Sequence, residues 1–215
     1  MAQPTETAVV RPATPDDLEA VGRISHRTGL LGEPIGPHFP DAALWTDVFV
    51  RPFLEAGCCN FVAEVEGEVV AYIIGSCDPE AFGRWLRRRL PGLLLGRWLA
   101  GAYPRWWRDL PYLWRAWRMA GPEAPWSRYP AQLHINALPE ARGHGVGRAL
   151  MERFLDCLRA RGVPGVQLGT TARNTAALHL YEKFGFRVYA RRRSAFWKPI
   201  VGEEVEHLRL VKELA

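Results

Sequence analysis

Three glycines within five residues constrain the fold of this chain more than any other feature of its sequence. Gly143, Gly145 and Gly147 directly follow a β-rich stretch, residues 132–138, and directly precede a helical stretch, residues 148–161. Glycine lacks a Cβ, so the backbone can turn tightly there and point successive N–H groups at one spot. The N-terminus of the following helix adds a partial positive charge. The pattern predicts either a binding site for a pyrophosphate or a tight strand–helix turn without a ligand.

The spacing of these glycines shows which known type of nucleotide-binding loop the turn matches. Arg148 and Ala149 stand where a P-loop needs Lys and Ser or Thr, and the spacing is not the G-x-G-x-x-G of dinucleotide-binding folds. The turn fits R-x-x-G-x-G, beginning at Arg142, whose guanidinium can add a charge-assisted bond to a phosphate. Residues 134–151, HINALPEARGHGVGRALM, resemble the acetyl-CoA-binding motif of the GNAT superfamily of N-acetyltransferases. The resemblance implies that this turn binds the pyrophosphate of coenzyme A.

A second segment supports the same family. Residues 174–186, NTAALHLYEKFGF, resemble the GNAT helix that ends in L-Y-x-x-x-G-F. Asn174 and Tyr181 are separated by about two helical turns, so both lie on one face of that helix. The resemblance implies that Asn174 bonds coenzyme A and that the Tyr181 hydroxyl lies beside the thioester sulfur. Taken without the family, Tyr181 would be a half-buried core aromatic residue with its hydroxyl in water.

The resemblance implies direct attack of an amine on the thioester of acetyl-CoA, without an acyl-enzyme. Tyr181 is then the general acid for the leaving thiolate, since an ordinary tyrosine pKa of about 10 keeps it protonated near pH 7. Backbone N–H groups near Ala137 and Leu138, at the splayed end of the strand, would hold the pantetheine and polarise the carbonyl. The implied cofactor-binding residues are Ala137, Leu138, Arg142, Gly143, His144, Gly145, Val146, Gly147, Arg148 and Asn174.

The general base lies outside these two motifs. Several family members carry Glu near the start of this strand, where the chain has Ala131. His134 shares the polar face of the strand with Gln132 and Asn136 and titrates in the useful range, so it is the first catalytic candidate. A structural histidine that fixes a loop or the cofactor is the alternative interpretation of His134. Glu64, on an earlier hairpin, is the second candidate for the base, and a chain of water molecules is the third.

The remaining pattern predicts an α/β (α+β) fold with the order β-α-α-β-β, an insertion, and β-α-β-α-β-β. The first strand is predicted at residues 7–13 and a hairpin at residues 61–76. The resemblance implies a mixed, mostly antiparallel central sheet with flanking helices. We therefore expect one GNAT-like domain over residues 1–215, with residues 78–130 as a helical insertion within it.

The insertion at residues 78–130 concentrates Arg and Trp. It holds ten Arg against four acidic residues, and seven of the nine Trp of the chain. Short helices broken at Pro91, Pro104 and Pro111 are predicted there. The first interpretation is a lid that folds over the rest of the domain and shapes a ligand pocket, or a packed insertion that turns its Trp inward and leaves its Arg in solvent. Contact with a protein or membrane is the second, and nucleic-acid binding through phosphates and stacked bases is the third and least favoured.

The implied activity is transfer of an acetyl group from acetyl-CoA, as co-substrate, to a small-molecule amine or, second, to a protein or peptide amine. The alternative is a non-catalytic acyl-CoA-binding module whose insertion contacts a protein or membrane. Residues 129–147 and 162–169 resemble more narrowly the acetyltransferase-like domain of O-GlcNAcase and its stand-alone bacterial relatives, a branch in which activity is less uniform. Trp packed over a cleft favours the enzyme, and a large exposed Trp surface favours the binding module.

Composition limits the remaining function classes. No apolar run reaches the roughly 18 residues of a membrane span, and the first residues lack the basic and apolar regions of a signal peptide. We therefore expect no membrane span and a cytoplasmic location, as a monomer or homodimer. The cysteines have no zinc-site spacing, so we expect no metal, and we interpret them as buried thiols in a reducing compartment. They are Cys58, Cys59, Cys77 and Cys157.

Overall fold

The computed structural model describes residues 8–119 and 121–214. Its centre is a seven-stranded sheet with the strand order β1-β2-β3-β4-β5-β7-β6. Neighbouring strands are antiparallel except β4 and β5, which are parallel, so the predicted mixed, mostly antiparallel sheet is confirmed. Thr7, where the first strand was predicted to begin, lies outside the described residues. The strands are β1 (Val9–Pro12), β2 (Cys58–Val65), β3 (Glu68–Ser76), β4 (Ala131–Ala137), β5 (Gly165–Thr171), β6 (Arg187–Ser194) and β7 (Val205–Glu213).

Helices cover both faces of this sheet. Side chains of α7 and α8 pack against one face, and side chains of α1, α3 and α4 pack against the other. None of the helices in the described part of the chain is long and apolar enough to cross a membrane. The helices are α1 (Leu18–Thr28), α2 (Ala42–Phe49), α3 (Arg51–Ala56), α4 (Pro79–Arg88), α5 (Leu90–Leu99), α6 (Trp106–Arg118), α7 (Val146–Ala160), α8 (Thr175–Lys183) and α9 (Lys198–Val201).

Local signals in the sequence account for several element ends. Thr14 and Asp17 form a capping box around a short 3₁₀ turn that leads into α1. The Asp41 carboxylate accepts a hydrogen bond from the Leu44 N–H and caps α2. The turn at Glu66 and Gly67, both with positive φ, closes the predicted hairpin of β2 and β3. These ends depend on neighbouring residues alone, which is why the sequence predicts them.

The insertion is helical, as predicted, but one of its expected breaks is wrong. Pro91 lies in the first turn of α5 and Pro104 lies between α5 and α6, whereas Pro111 lies inside α6. A proline inside a helix removes one backbone hydrogen bond, and packing on both sides of it can outweigh that loss. Asp109 and Tyr112, on either side of Pro111, are both buried. Tertiary packing therefore keeps α6 helical on both sides of Pro111.

The four cysteines are paired, which corrects the prediction of buried free thiols. Cys58 bonds Cys77, with Cα atoms 5.9 Å apart, and Cys59 bonds Cys157, with Cα atoms 5.7 Å apart. The first pair joins the two strands of the hairpin, and the second joins β2 to α7. A bulge in β2, where Cys59 has a φ of 56°, gives two adjacent cysteines different partners. Strand register and the position of α7 decide this pairing, and sequence spacing shows neither.

Candidate active site

The candidate site is a gap in the sheet between β4 and β5. The two strands pair only at Ala131–Val166 and Gln132–Gln167, and beyond these pairs no β5 residue faces β4. On its other edge β4 stays paired with β3 as far as Ala137. One edge of β4 is therefore free of strand partners from Leu133 onward. Parallel strands that separate in this way leave backbone N–H and C=O groups available to a ligand.

The hydrogen-bond alternation of β4 decides which groups face the gap. In an antiparallel pair every second residue bonds the neighbouring strand and the residues between point the other way. The Leu138 N–H donates to the Val70 carbonyl at 2.9 Å, so this predicted pantetheine donor is already used within the sheet. The alternation turns the backbone groups of Leu133, Ile135 and Ala137 into the gap. Of the two N–H groups predicted to hold the pantetheine, that of Ala137 faces the gap and remains a candidate. The prediction for Leu138 is wrong, because its N–H is bonded within the sheet.

The glycine turn lies at the end of β4 and opens α7. Gly143 and Gly145 have φ values of 82° and 77°, in the left-handed region that favours glycine. No atom lies within 4 Å of a Cβ placed on either residue, so the surface above the turn is open. Gly145 is the N-cap of α7, whose first N–H groups have no partner within the helix. The turn thus has the backbone donors and the space that an anion needs.

The side chains around this turn have local partners. The Arg142 guanidinium donates to the Ala137 carbonyl at 3.2 Å and to the Gly32 carbonyl at 2.6 Å, tying the turn to the loop after α1. Arg148 is exposed and bonds Glu152 one helical turn later at 2.8 Å. His144 is exposed, whereas the Val146 side chain is buried in the core and leaves only its backbone for a ligand. Backbone groups, more than charged side chains, therefore make up this part of the site.

Helix α8 brings the second motif to the same gap. Asn174 caps α8, and its side-chain oxygen accepts from the Ala177 N–H at 3.3 Å, which leaves its amide nitrogen as the donor available to a ligand. Tyr181 is 6% exposed and packs against Phe186, with ring centroids 5.9 Å apart. Burial, with a smaller effect of nearby Tyr72, raises the Tyr181 pKa above its ordinary value. The Tyr181 hydroxyl therefore keeps its proton at neutral pH.

A cleft of about 480 Å³ passes through this gap. Leu133 and Ile135 line it from the α7 face of the sheet, and His134 and Asn136 line it from the opposite face. Asn174 and Tyr181 also line the cleft. The structure therefore places the two predicted catalytic residues, His134 and Tyr181, in the same cleft. The walls further include the loop after α1, β3 of the hairpin and the insertion. Aromatic side chains dominate the outer part: Trp45, Phe49, Phe53, Phe82, Tyr112, Phe196 and Trp197.

His134 occupies the middle of the cleft wall. Its ring packs edge-on against Phe53, with centroids 4.9 Å apart, and is open to the cleft. The surrounding protein reduces the solvation of a charged imidazole at this position, and this effect lowers the His134 pKa to about 4. The positive charge of Arg209 adds a smaller lowering. The imidazole is therefore neutral at pH 7 and can accept a proton, although such a pKa makes it a weak base.

Several residues of the cleft carry no sequence motif. The Tyr72 hydroxyl is 2.8 Å from the Asn136 side-chain nitrogen and also bonds Ser25, and this buried group lies near Tyr181. His207 lines the cleft as a second imidazole, and burial and Arg192 lower its pKa. These residues come from elements far apart in sequence. Only the packing of α1 and β3 against β4, and the position of β7 beyond β5, show that they meet.

The carboxylate candidate for the base is elsewhere. Glu64 accepts a hydrogen bond from Arg11 Nε at 2.8 Å on β1 and does not line the cleft, so this second candidate is wrong. Among the described residues, the cleft lining contains neither Asp nor Glu. Arg209 is the charged residue of the lining; its Nε donates to the Pro122 carbonyl at 2.6 Å, and its guanidinium lies over Gly169.

The insertion contributes to the cleft, but not with its tryptophans. Phe82, Leu86, Tyr112, Ala116 and Met119 face the cleft. The expectation that the insertion packs its Trp inward is wrong, because Trp side chains of α5 and α6 are on the outer side. Those exposed by 36% or more are Trp98, Trp106, Trp107, Trp114 and Trp117. An amphipathic helix has two faces, and composition alone does not show which one meets the core.

Comparisons with known proteins relate this geometry to a family. The model of the Acetyltransferase (GNAT) family matches residues 30–186. The solved structure of SsHAT superposes with a TM-score of 0.71 and 30% identity, over 97% of this chain and 99% of that chain.

Two curated proteins match shorter segments. A mycothiol acetyltransferase from Beutenbergia cavernae is 54% identical over 48 residues, which are 22% of this chain and 16% of that protein. The ribosomal protein bS18-alanine N-acetyltransferase of Escherichia coli K12 is 41% identical over 58 residues, which are 27% of this chain and 39% of that protein. The matched segments thus span well under half of either relative.

Proposed function

The chain belongs to the GNAT family of acetyltransferases, and we propose that it transfers the acetyl group of acetyl-CoA to the amine of a small molecule. The observation that carries this proposal is the cleft through the sheet. The cleft joins Asn174 and Tyr181, on the α8 side of the β4–β5 gap, to an aromatic pocket on the other side. The glycine turn lies next to this α8 side, since a Cβ placed on Gly147 would be 3.5 Å from Leu180 of α8. Two substrates can therefore meet in the gap from opposite faces, as a direct transfer requires.

The coenzyme would bind on the α7 and α8 side. Backbone N–H groups at Gly145, Gly147 and the first turn of α7 would hold its pyrophosphate, with the helix dipole behind them. Pantetheine would lie along the free edge of β4, bonded by backbone groups of Ile135 and Ala137. The free amide nitrogen of Asn174 adds a donor on the same side. This placement puts the thioester in the gap beside Tyr181.

The transfer is a single displacement at the thioester carbonyl. The amine nitrogen forms a bond to the carbonyl carbon while the carbon–sulfur bond breaks. The leaving thiolate takes the proton of Tyr181, which burial keeps on the hydroxyl until that moment. The amine must lose a proton, and neutral His134 accepts it directly or through a water molecule. Backbone N–H groups that face the gap stabilise the oxyanion that develops on the carbonyl oxygen.

The acceptor pocket favours an amine with an apolar body and an anionic group. Aromatic side chains form its walls, and Arg209 is its charged residue. Within 4.0 Å, Arg209 has no carboxylate partner among residues 8–119 and 121–214, so its charge is available to a substrate. A peptide N-terminus is the second candidate acceptor, because one relative is named for N-acetylation of a ribosomal-protein alanine. The narrower likeness to the O-GlcNAcase branch stays a prediction.

Thiol release from acetyl-CoA in the presence of pooled amines tests this function. We expect turnover with aromatic amines that carry a carboxylate or phosphate, and a raised KM for these amines in Arg209→Gln. Aromatic amines without a carboxylate or phosphate serve as the matched control, because their KM should not change in Arg209→Gln. The exposed Trp side chains of α5 and α6 favour the non-catalytic alternative, whereas the aromatic cleft through the sheet favours the enzyme. Binding of acetyl-CoA without turnover on any amine or peptide would support the non-catalytic alternative. Absence of both would contradict the proposal.

A further inference from the structure

The outer side of the insertion presents a continuous apolar area, which we name the tryptophan surface. Each of its side chains is exposed by 36% or more, although each is large and apolar. Exposed apolar patches that are larger than single scattered residues mark contact sites. The tryptophan surface consists of Leu95, Trp98 and Leu99 on α5 and Trp106, Trp107, Leu110, Trp114 and Trp117 on α6.

Helical spacing places these residues on one side. On α6, Trp107, Leu110, Trp114 and Trp117 follow one another at intervals of three, four and three residues, which is one face of a helix. On α5, Trp98 and Leu99 follow Leu95 by three and four residues, which also places them on one side of the helix. The rings of Trp98 and Trp106 contact edge-to-face, with centroids 6.3 Å apart, and join the two helices. The tryptophan surface is therefore one patch across two helices.

The charge around this surface has a single sign. Between Arg84 and Arg118 the acidic residue is Asp109, which is fully buried. Every exposed charged side chain in that stretch is an arginine, and Arg105, Arg108 and Arg118 are next to exposed Trp in the sequence, so the exposed charge beside the α6 part of the tryptophan surface is positive. The exposed arginines are Arg84, Arg87, Arg88, Arg89, Arg105, Arg108 and Arg118.

We propose that the tryptophan surface docks the protein on an anionic lipid bilayer. Trp and Leu side chains enter the headgroup region of a bilayer, and flanking Arg side chains bond lipid phosphates. A second copy of the chain fits this surface less well, because two surfaces surrounded by arginines repel each other. The proposal is independent of the acetyl transfer, and a catalytically inactive protein would still dock.

Docking would place the cleft next to the bilayer. The inner face of α6 contributes Tyr112 and Ala116 to the cleft wall, and its outer face carries four of the exposed residues at one helical spacing. A single helix, about 10 Å across, thus separates the acceptor pocket from the docking surface. An acceptor that collects at an anionic membrane would enter the pocket from a nearby site.

Co-sedimentation with vesicles tests the docking. Vesicles of phosphatidylcholine with about one third phosphatidylglycerol should bind the protein, and vesicles of phosphatidylcholine alone should bind at least roughly tenfold more weakly. The double variant Trp107→Ser, Trp117→Ser should raise the lipid concentration for half binding by about tenfold or more. A matched control, Val188→Ser with Tyr189→Ser, removes two exposed apolar side chains from β6 and should change it by less than about twofold.

The charge is tested in the same way. Arg108→Gln with Arg118→Gln removes two flanking charges and should weaken binding by roughly tenfold or more. Arg153→Gln with Arg161→Gln makes the same change in charge at exposed positions on and after α7 and should have little effect. Wild-type protein that fails to bind the anionic vesicles, or equal binding by the tryptophan variant, overturns the proposal. So does a dimer in lipid-free sedimentation that the tryptophan variant dissociates.

Discussion

Two regions of the molecule differ in what decides the role of a residue. One region consists of the glycine turn with α7 and α8, and the other is the insertion with α4, α5 and α6. In the first region backbone groups and single residues have local roles: a left-handed glycine, an N-cap, a buried tyrosine. In the insertion the same residue types recur, and their role depends on which face of a helix meets the core. We propose that the first region binds coenzyme A, whereas the second supplies a cleft wall inside and an apolar, positively charged surface outside.

The largest effect is expected at the glycine turn. Gly145→Glu places a side chain and a negative charge in the open space above the turn, where φ is 77°. We expect acetyl-CoA affinity to fall at least about 100-fold, since the anionic side chain occupies the anion site. Isothermal titration with acetyl-CoA measures this.

Gly162→Glu is the matched control for that variant. Gly162 lies just beyond the other end of α7, has a φ of 66° and has equally open surroundings. Both variants carry similar strain and the same added charge, so both should lose similar stability while only Gly145→Glu loses binding. Equal affinity in the two variants would mean that the glycine turn does not bind the coenzyme.

The next effect is expected at Tyr181. Tyr181→Phe keeps the packing on Phe186 and removes the proton donor. We expect kcat to fall by about tenfold or more and the affinity for acetyl-CoA to stay within a few fold. Tyr189→Phe, an exposed tyrosine on β6, controls for the loss of a hydroxyl. A Tyr181→Phe enzyme with wild-type kcat would remove Tyr181 from the mechanism.

The pH dependence of kcat/KM tests His134. Because the His134 pKa is lowered to about 4, its neutral form persists well below pH 6.5 and the acid limb of activity should lie near pH 4. Arg209→Gln removes one cause of the lowering, so the limb should move upward by about one pH unit. Arg192→Gln is the control, since Arg192 acts on His207. A limb that survives unchanged in His134→Ala would assign the proton to another acceptor.

A smaller effect is expected at Asp109 in the insertion. Burial, with the charge of Asp41, raises the Asp109 pKa to about 6 from 3.8, and this rise outweighs the lowering by the Asp41 backbone and by Arg108. The folded state thus binds this proton more tightly than the unfolded state, so the free energy of unfolding declines as pH rises from about 4 through 6. Asp109→Asn should therefore raise Tm by several degrees near about pH 7.5 and hardly at about pH 4. An equal gain at both pH values would show that Asp109 does not titrate in this range.

Sequence predicts those parts of the molecule in which neighbouring residues decide the structure. The glycine turn follows from the spacing of its glycines, and the shared helix face of Asn174 and Tyr181 follows from their separation, because the turn and the helix are each formed within one segment. Leu138 shows the limit: its N–H is used by Val70, and only the register between β3 and β4 reveals that.

Long-range packing decides the rest. Arg209 meets His134 across the β4–β5 gap, and the cysteines pair between β2, β3 and α7. Pro111 stays within α6 because its neighbours are buried, which no local signal shows. Trp-rich composition in the insertion indicated a special surface, but its direction depends on which face of α6 meets the cleft.

The central claim is that the acetyl group crosses the sheet in the gap between β4 and β5. A crystal structure of the protein with bound coenzyme A tests it most directly. We predict the pyrophosphate at the N-terminus of α7, the pantetheine bonded to backbone groups of Ile135 and Ala137, and the sulfur beside the Tyr181 hydroxyl. Coenzyme A bound elsewhere, or with its sulfur outside the gap and away from Tyr181, would contradict the account.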